Sequence, residues 1–328
     1  MTAQVALSHD QEGAAGGLRS LLRDALGDVS GPCPPLPANG GLPMLVSRTC
    51  VVDPPFYGDG DIGCAAVCGT VNELAAAGAV PLGLSLSAVV EAGLALRQVR
   101  RVADSVRRAV RAAGVVVLDV DARVVRAGEA DQIYLHTTGL GHRPPGAPAP
   151  RAAPGDRLVL SAPLGGFGAH VLSVRGGLGY ESVIPGGCVP LTGLLARARE
   201  AVPQGALRAV RAVGRGGLAA VLRAYAAETG HGLRVDEAAL PVRYETRIAL
   251  EVLGVDPVHA ATAGCALFVV AAGAVDPLLT AVRADPCGRA AAVVGEVTRT
   301  GAAPVALASA TGLAAPLRAE REPPVRPA

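Results

Sequence analysis

The segment VVDPPFYGDGDIGCAAVCGTVNELAAAGAVPLGLSLS, residues 51–87, decides the fold that the sequence predicts. Its small and apolar residues from 62 to 77 predict a helix, and Gly78 and Pro81 break the helical pattern that precedes them. Residues 82–90 follow this turn and are rich in β-forming side chains, so they predict a strand. Helix and strand in direct succession indicate a mixed α/β domain.

The first half of the chain continues with an amphipathic helix and two further strands. Residues 96–114 place apolar side chains at helical spacing, with arginines around the rest of the helix. The segments 114–120 and 132–141 are rich in β-forming residues and predict strands. We therefore expect the amphipathic helix to pack on a sheet that contains these strands and residues 82–90.

The segment HRPPGAPAPRAAPGD, residues 142–156, divides the chain near its middle because proline and glycine exclude both helix and central strand. Beyond it the pattern predicts helices near 167–175, 190–201, 217–229, 245–253 and 276–284, and strands beginning near 157, 265 and 290. We expect an N-terminal mixed-sheet domain at 1–142, a linker at 143–156, a C-terminal α+β domain at 157–317 and a flexible tail at 318–328.

Composition argues against several classes of function. The 328 residues carry a net charge of +2, and 50% of them are hydrophobic but only 2% aromatic. The arginines are spread over several helices without interleaved aromatic side chains, which argues against a nucleic-acid surface. The longest uncharged stretch, residues 74–90, is interrupted by glycine and proline, and the N-terminus has no signal-peptide pattern. We expect a cytoplasmic protein without a membrane span.

Seven cysteines form an odd, scattered set, which argues against a disulfide framework. Cys64 and Cys68 alone have the spacing of one helix face. A zinc site needs about four ligands, and no neighbouring Cys or His pair completes one in the sequence. We interpret the two as small core residues. The histidines are also dispersed, so we expect structural or surface roles for them.

The segment 51–87 resembles the HypE family of hydrogenase maturation proteins, which are carbamoyl dehydratases of the AIR synthase (PurM-like) superfamily. The family pattern is VV-P-FF-GGDIGK-AV-GTVNDLA-GA-P-LS, and its lysine corresponds here to Cys64. Later segments match further family patterns in the same order. They are LDVDARVVRAGEADQIYLHTTGLG, GRGGLAAVL, DEAALPVR and EVLGVDPVHAATAG. The resemblance covers most of the chain.

This resemblance implies a PurM-like fold of two α/β domains, a dimer formed through the N-terminal half, and a nucleotide bound near the dimer interface. In the family, ATP phosphorylates a carbamoyl group carried on a C-terminal cysteine, and loss of phosphate leaves a thiocyanate. The implied cofactors are ATP and Mg²⁺, which acidic side chains hold. The implied partners are HypF, which supplies the carbamoyl group, and a second HypE-type chain, either identical or a paralogue.

The residues implied at the nucleotide site follow from the motif positions. They are Asp61, Asn72, Glu73, Asp121, Arg123, Arg48, Arg215, Gly216 and Gly217, with Glu73 and Asp121 as the expected metal ligands. Each has an ordinary structural interpretation as well. Acids and amides at a helix start are common caps, an acid after a strand is often a solvated loop residue, and a glycine-rich turn often merely begins a helix.

Several positions depart from the family pattern. Ala328 stands where the family has its reactive terminal cysteine, so we expect no catalytic residue on this tail. His9 is kept, but the glycine-rich turn after it contains acidic and polar residues, and the family's acid pair is replaced within PPLPA, residues 34–38. Arg48 replaces the aspartate of the family's TTDS segment. That exchange changes the local charge by two units, and each charge at about 4 Å contributes roughly 4 kcal/mol at an intermediate dielectric constant.

Three functions remain open at this point. The leading hypothesis is a divergent HypE-like binding or scaffold subunit that does not form thiocyanate. In this subunit, Mg²⁺ binding is weakened or lost because acidic residues of the family pattern are replaced. The second is an ATP-dependent enzyme that dehydrates or phosphorylates a small amide. In this enzyme Glu73, Asp121 and Arg48 would form a rebuilt site, and Arg48 could bind phosphate directly. The third is a HypE-type maturation factor completed by a cysteine from another chain.

Overall fold

The computed structural model describes residue 4 and residues 11–36, 41–145, 152–299, 303–309 and 314–317. His9, Ala328 and the tail 318–328 therefore lie outside the described residues, as do the last two residues of PPLPA. Contacts between Cα atoms divide the chain into two compact units. One contains the described residues before position 149 together with 170–197, and the other contains 149–169 and the described residues from 198 onward.

The first unit is a four-stranded sheet with three helices. In chain order its elements are α1 (Gln11–Leu26), β1 (Leu42–Cys50), the short strands β2 (Phe56–Tyr57) and β3 (Gly60–Asp61), α2 (Ile62–Ala76), β4 (Val80–Glu91), α3 (Leu96–Ala113), β5 (Val116–Val125) and β6 (Ile133–Arg143). The sheet order is β1-β6-β4-β5. Strands β4 and β5 are parallel, whereas β6 is antiparallel to both β4 and β1. β2 and β3 form a separate hairpin that leads into α2.

The core of the first unit lies between the sheet and the helices. Helix α3 buries Val99, Val102, Val106 and Val110, as its 3.6-residue periodicity predicts, and Gly114 ends it in the left-handed conformation with φ of 70°. Helix α2 differs because 11 of its residues are buried. A helix buried on several faces carries little charge, and α2 has one charged residue, Glu73, within its bounds.

The second unit is built on a seven-stranded sheet. Its elements are β7 (Arg157–Leu160), α4 (Gly166–Gly176), α5 (Thr192–Glu200), β8 (Leu207–Ala212), α6 (Gly217–Thr229), β9 (Gly232–Asp236), α7 (Tyr244–Val252), β10 (Ala266–Val270), α8 (Val275–Arg283), β11 (Ala292–Thr298), β12 (Val305–Ala308) and β13 (Ala314–Pro316). Parts of α4 and α5 fall in the first unit by their contacts. The strand order is β13-β12-β9-β11-β7-β10-β8, and β12 runs parallel to β9 while the other pairs are antiparallel.

The sequence predicted many of the helices and strands and missed others. The predicted helices and strands of the first half correspond to α2, β4, α3, β5 and β6, with ends shifted by a few residues. The sequence did not predict α1, β1, β2, β3, β8, β9, β12 or β13. Strand β1 has a proline near its start, and its outward residues are exposed, so it lacks the apolar run of a buried strand. Within the described ranges, no helix has both the length and the apolar character that a bilayer span requires.

Gly139 allows α2 to approach the sheet closely. A Cβ atom at this position of β6 would lie 2.6 Å from the Thr70 methyl group and 2.7 Å from a Leu74 methyl group. Both contacts are shorter than real Cβ atoms make, and both partners belong to the buried face of α2. The glycine thus permits the spacing between helix and sheet on which the first unit's core depends.

We predict that Gly139→Ala destabilises the protein by about 1–3 kcal/mol, because the added methyl group overpacks the contact between α2 and β6. Denaturant unfolding of the full chain measures the change. Gly27→Ala is the matched control, since nothing lies within 4 Å of a Cβ atom there. Equal stability of the two variants would show that α2 does not pack on Gly139 as described.

Candidate functional site

Asp61 caps the start of α2 and is buried. Its Oδ1 accepts a hydrogen bond from the Gly63 N–H at 2.9 Å and another from the Ser105 hydroxyl, while Arg101 Nε lies 3.5 Å from Oδ2. Only 1% of the Asp61 side chain is exposed. Burial raises the pKa of Asp61, while the hydrogen bonds from Ser105 and Gly63 and the charge of Arg101 act in the opposite direction. Its oxygens are thus engaged within the protein, and nucleotide binding by Asp61 stays a prediction.

Asn72 fixes a segment that is distant in the sequence. Its Nδ2 donates to the Val189 carbonyl at 3.0 Å, and its Oδ1 accepts from the Leu191 N–H at 2.6 Å. The Asp59 carboxylate accepts from the Gly186 N–H at 2.9 Å, so the segment 186–191 is attached at both ends. The Asn72 side chain therefore uses both of its polar groups to position backbone, whether or not it also contacts a nucleotide.

Glu73, one of the two expected metal ligands, forms an ion pair with Arg48. The Arg48 guanidinium donates from Nη1 to Glu73 Oε2, and the two side chains are 40% and 46% exposed. Arg48 extends from β1 over Gly69 of α2, where a Cβ atom would lie 3.3 Å from Arg48 Nε. The sequence alone identified both residues, and the structure brings them together as partners.

Asp121, the other expected metal ligand, is also paired with an arginine. Arg19 Nη2 of α1 lies 2.5 Å from Asp121 Oδ1, and one turn later Arg23 lies 3.1 Å from Asp119. Both acids point outward from β5, as does Arg123, which is exposed. The sequence motifs gave no sign of Arg19, because its helix α1 was not predicted.

Arg215, Gly216 and Gly217 belong to the second unit, whereas the other predicted site residues belong to the first. Gly216 and Gly217 have φ of 78° and 62°, and a Cβ atom on Gly217 would lie 2.4 Å from the Val258 carbonyl oxygen. The N–H groups of Gly217 and Ala219, at the start of α6, donate to carbonyl groups of the protein. Close backbone packing therefore requires glycine here, and a phosphate site at this turn stays a prediction.

Three cysteines come together beside the start of α2. Cys64 and Cys68 face the segment 186–191, and their Sγ atoms are 3.7 Å apart. Cys188 joins them from that segment, and the three Sγ atoms lie within 4.8 Å of one another. The sequence interpretation counted only the first two, because Cys188 is 124 residues from Cys64.

The three thiols are not equivalent. Hydrogen bonds from Cys188 and then from Cys68 lower the pKa of Cys64 to about 4, against the effect of burial, and the charge of Arg108 lowers it further. The pKa of Cys188 is raised, since its hydrogen bonds to Cys64 and Cys68 favour its protonated form and burial adds to this. Cys64 is therefore the most acidic thiol of the cluster, and it lies in the first turn of α2, where the helix dipole favours negative charge.

Two family profiles match the chain. The one described as AIR synthase related protein, N-terminal domain, matches residues 36–143, and the corresponding C-terminal domain matches residues 153–306. Carbamoyl dehydratase HypE of Azotobacter vinelandii is 40% identical over 259 residues, which cover 78% of this chain and 75% of that protein. The chain belongs to the HypE family. The predicted resemblance is thereby confirmed.

Solved HypE structures share the fold. The crystal structure of E. coli HypE is similar with a TM-score of 0.86 and 32% identity, covering 94% of this chain and 97% of that one. A HypE structure in complex with ATP gives a TM-score of 0.85 and 30% identity, covering 97% and 96%. A HypE–HypF complex gives 0.79 and 30%, covering 84% and 90%. These similarities confirm the predicted PurM-like α/β fold.

We predict that Asn72→Ala releases the segment 186–191 from α2. Each buried backbone group left unpaired costs about 1–3 kcal/mol, so the loss of stability should be about 2 kcal/mol or more. Alkylation of Cys188 by iodoacetamide, followed by mass spectrometry, should also become faster.

Asn72→Asp tests the donor separately, because it keeps the acceptor for Leu191 and places a carboxylate oxygen against the Val189 carbonyl oxygen. It should also be less stable and react faster than the wild-type protein. Unchanged alkylation in Asn72→Ala would contradict a positioning role for this side chain.

Proposed function

We propose that this chain is a HypE-type subunit of nickel-iron hydrogenase maturation that binds partner proteins and nucleotide phosphates, and that it does not itself form thiocyanate. The observation that carries the proposal is the pairing of both expected metal ligands with arginine: Glu73 with Arg48, and Asp121 with Arg19. The family membership supports the maturation context, and the HypE–HypF and HypE–ATP structures support the partner and the nucleotide.

Charge is the physical basis of the proposal. Mg²⁺ is bound through oxygen ligands, usually one or two carboxylates together with substrate phosphates. Here each carboxylate has an arginine partner of opposite charge, so each pair is neutral by itself; the pairs are separate, since Arg48 and Asp121 lie on the opposite edge strands β1 and β5. The pairs are about half exposed and add little to folding stability, yet a divalent cation must still displace a guanidinium to reach each carboxylate.

The same arginines suit a phosphate. A guanidinium binds phosphate oxygens through two parallel hydrogen bonds, which is the geometry that favours arginine over lysine at such sites. A nucleotide can therefore bind by replacing carboxylate with phosphate as the arginine's partner, without a metal ion. Binding of ATP that does not depend on Mg²⁺ is the distinguishing property of the proposed site.

We predict that the wild-type protein binds ATP in isothermal titration calorimetry and that Mg²⁺ at about 5 mM does not improve the affinity. This concentration is of physiological order or above. The double variant Arg19→Ala/Arg48→Ala frees Glu73 and Asp121, so added Mg²⁺ should strengthen its ATP binding by about tenfold or more. The control is Arg107→Ala, which removes an arginine paired with Asp104 on α3.

Either of two outcomes in this titration contradicts the proposed site. One is Mg²⁺-dependent ATP binding by the wild-type protein that matches or exceeds that of the double variant. The other is the absence of ATP binding under all conditions, which would leave the arginines without the phosphate partner that we assign to them.

The proposed assembly is a dimer that also binds HypF. β1 is an edge strand of its sheet, and the face that carries Leu45 is open, since this side chain is 69% exposed; such an edge is a surface that a second sheet can cover. The proposal covers both a homodimer and a heterodimer with a HypE-type paralogue. Light scattering of the isolated chain distinguishes them from a monomer.

We predict that the chain co-elutes with HypF on gel filtration but yields no cyanide above a protein-free blank when HypF, carbamoyl phosphate, ATP and Mg²⁺ are supplied. An active HypE from a relative, assayed with the same HypF, is the control for the reagents. Cyanide release by this chain would overturn the proposed loss of thiocyanate formation. Failure to bind HypF while that control binds would overturn the partner.

A second candidate is an ATP-dependent enzyme acting on a small amide. The observation that favours it is the position of Arg48 and Glu73 side by side, since a guanidinium for phosphate and a carboxylate for proton transfer are both useful in such a reaction. This enzyme would hydrolyse ATP faster when an amide is added and would need no HypF. Phosphate release measured with and without simple amides separates it from the binding subunit.

A further inference from the structure

The three-thiol cluster has the geometry of a metal site. A tetrahedral ion with metal–sulfur distances of about 2.3 Å separates its sulfur ligands by about 3.8 Å. The Sγ atoms of Cys64 and Cys68 are 3.7 Å apart, and all three Sγ atoms lie within 4.8 Å of one another. A shift of less than about 1 Å in side-chain position would bring every pair to the ligand spacing.

The cluster is held in place by contacts that do not involve the thiols. Cys64 and Cys68 are one turn apart on α2, and Asn72 follows at the next turn on the same face. Asn72 fixes Val189 and Leu191, and Asp59 fixes Gly186, so the backbone on both sides of Cys188 is attached to the same part of the first unit. A site arranged in this way does not depend on the ion for its assembly.

The surroundings suit a thiophilic cation. Thiolates are the ligands that select Zn²⁺ and Cu⁺ over Mg²⁺ and Ca²⁺. Three thiolates around Zn²⁺ leave one net negative charge, and both the first turn of α2 and Arg108 provide positive potential nearby. Cys64 and Cys188 are partly exposed, whereas Cys68 is buried, so the cluster has a side that solvent reaches.

We propose that Cys64, Cys68 and Cys188 bind one zinc ion through their three sulfur atoms, with a water molecule as the fourth ligand. Each thiol that is still protonated loses its proton to solvent when its sulfur binds the ion, and the metal keeps its charge of +2 throughout. The bound ion links the segment 186–191 to α2. This link adds to the hydrogen bonds that Asn72 already makes with the same segment. This inference does not depend on the proposed function of the nucleotide site.

The alternative is a disulfide between two of the three cysteines. It leaves the third thiol unpaired beside a disulfide, and it requires an oxidant. Three Sγ atoms within 4.8 Å of one another fit a shared central ion better than one covalent pair. A disulfide is nevertheless directly detectable, because it lowers the mass of the protein by two hydrogen atoms and prevents alkylation of both cysteines.

The test uses the full chain, reduced and freed of metal with a chelator. Zn²⁺ is titrated against a chromophoric chelator, and Co²⁺ is titrated separately because thiolate-bound tetrahedral Co²⁺ gives intense visible absorption. We expect one ion per chain, strong Co²⁺ absorption that Zn²⁺ abolishes, proton release on binding and a rise in the melting temperature. Cys64→Ser and Cys188→Ser should each weaken Zn²⁺ binding by about 100-fold or more.

Matched controls and contrary outcomes make the test decisive. Cys33→Ser/Cys287→Ser removes two cysteines outside the cluster and should bind Zn²⁺ like the wild-type protein. Circular dichroism verifies that Cys64→Ser, which alters a partly exposed residue, is folded. The inference is overturned if the wild-type protein binds no Zn²⁺, if Cys64→Ser binds it equally well, or if the reduced and chelator-treated protein re-forms a disulfide among these cysteines in preference to binding the ion.

Discussion

The turn-by-turn periodicity of α2 is the constraint on which the rest of the first unit depends. Thr70 and Leu74 face the sheet, where Thr70 bonds to Thr137 and Leu74 lies against Gly139. Cys64, Cys68 and Asn72, spaced by four residues, face the segment 186–191. Gly69 and Glu73, again spaced by four, face Arg48. Because one rigid helix carries all three faces, every group around it is positioned by the same contact with β6.

This arrangement explains why polar residues on α2 are not merely caps. A buried helix tolerates a polar side chain only where a partner is fixed in place. Asn72 meets that condition with two backbone partners, and Asp61 meets it with Ser105, Gly63 and Arg101. Glu73 is half exposed and has one charged partner, so it is the acid on α2 whose partner a ligand can replace at least cost.

The sequence predicted much of the fold because strong periodicity is a local property. Helix α3 and strands β4 and β6 follow from spacing alone, and the HypE resemblance then implied the domain type. Strand β1 escaped prediction because it is a sheet-edge strand with exposed alternate residues, and its pairing with β6 is a long-range contact. Helix α1 has three glycines in its first half, which obscured its periodicity.

The candidate site was predicted by residue but not by partner. Motif positions identified Arg48, Glu73 and Asp121, and the charge argument for Arg48 needed no structure. The pairing of Asp121 with Arg19 spans 102 residues, and the approach of Cys188 to Cys64 spans 124. No local pattern encodes such contacts, since they depend on where α1 and the segment 186–191 are placed by tertiary packing.

The two charge changes along α2 act in the same chemical direction. By motif correspondence, Cys64 replaces a lysine of the family at the start of this helix, and Arg48 replaces an aspartate near its end. The first change removes a fixed cation and adds a thiol beside Cys68 and Cys188. The second adds a fixed cation beside Glu73. Glu73 thus has an arginine as its partner, while three sulfur ligands lie some two turns away along the same helix. Thiolates select zinc over magnesium, so the proposed zinc site and the proposed loss of magnesium binding have a common basis in the donor atoms, within a fold similar to that of E. coli HypE.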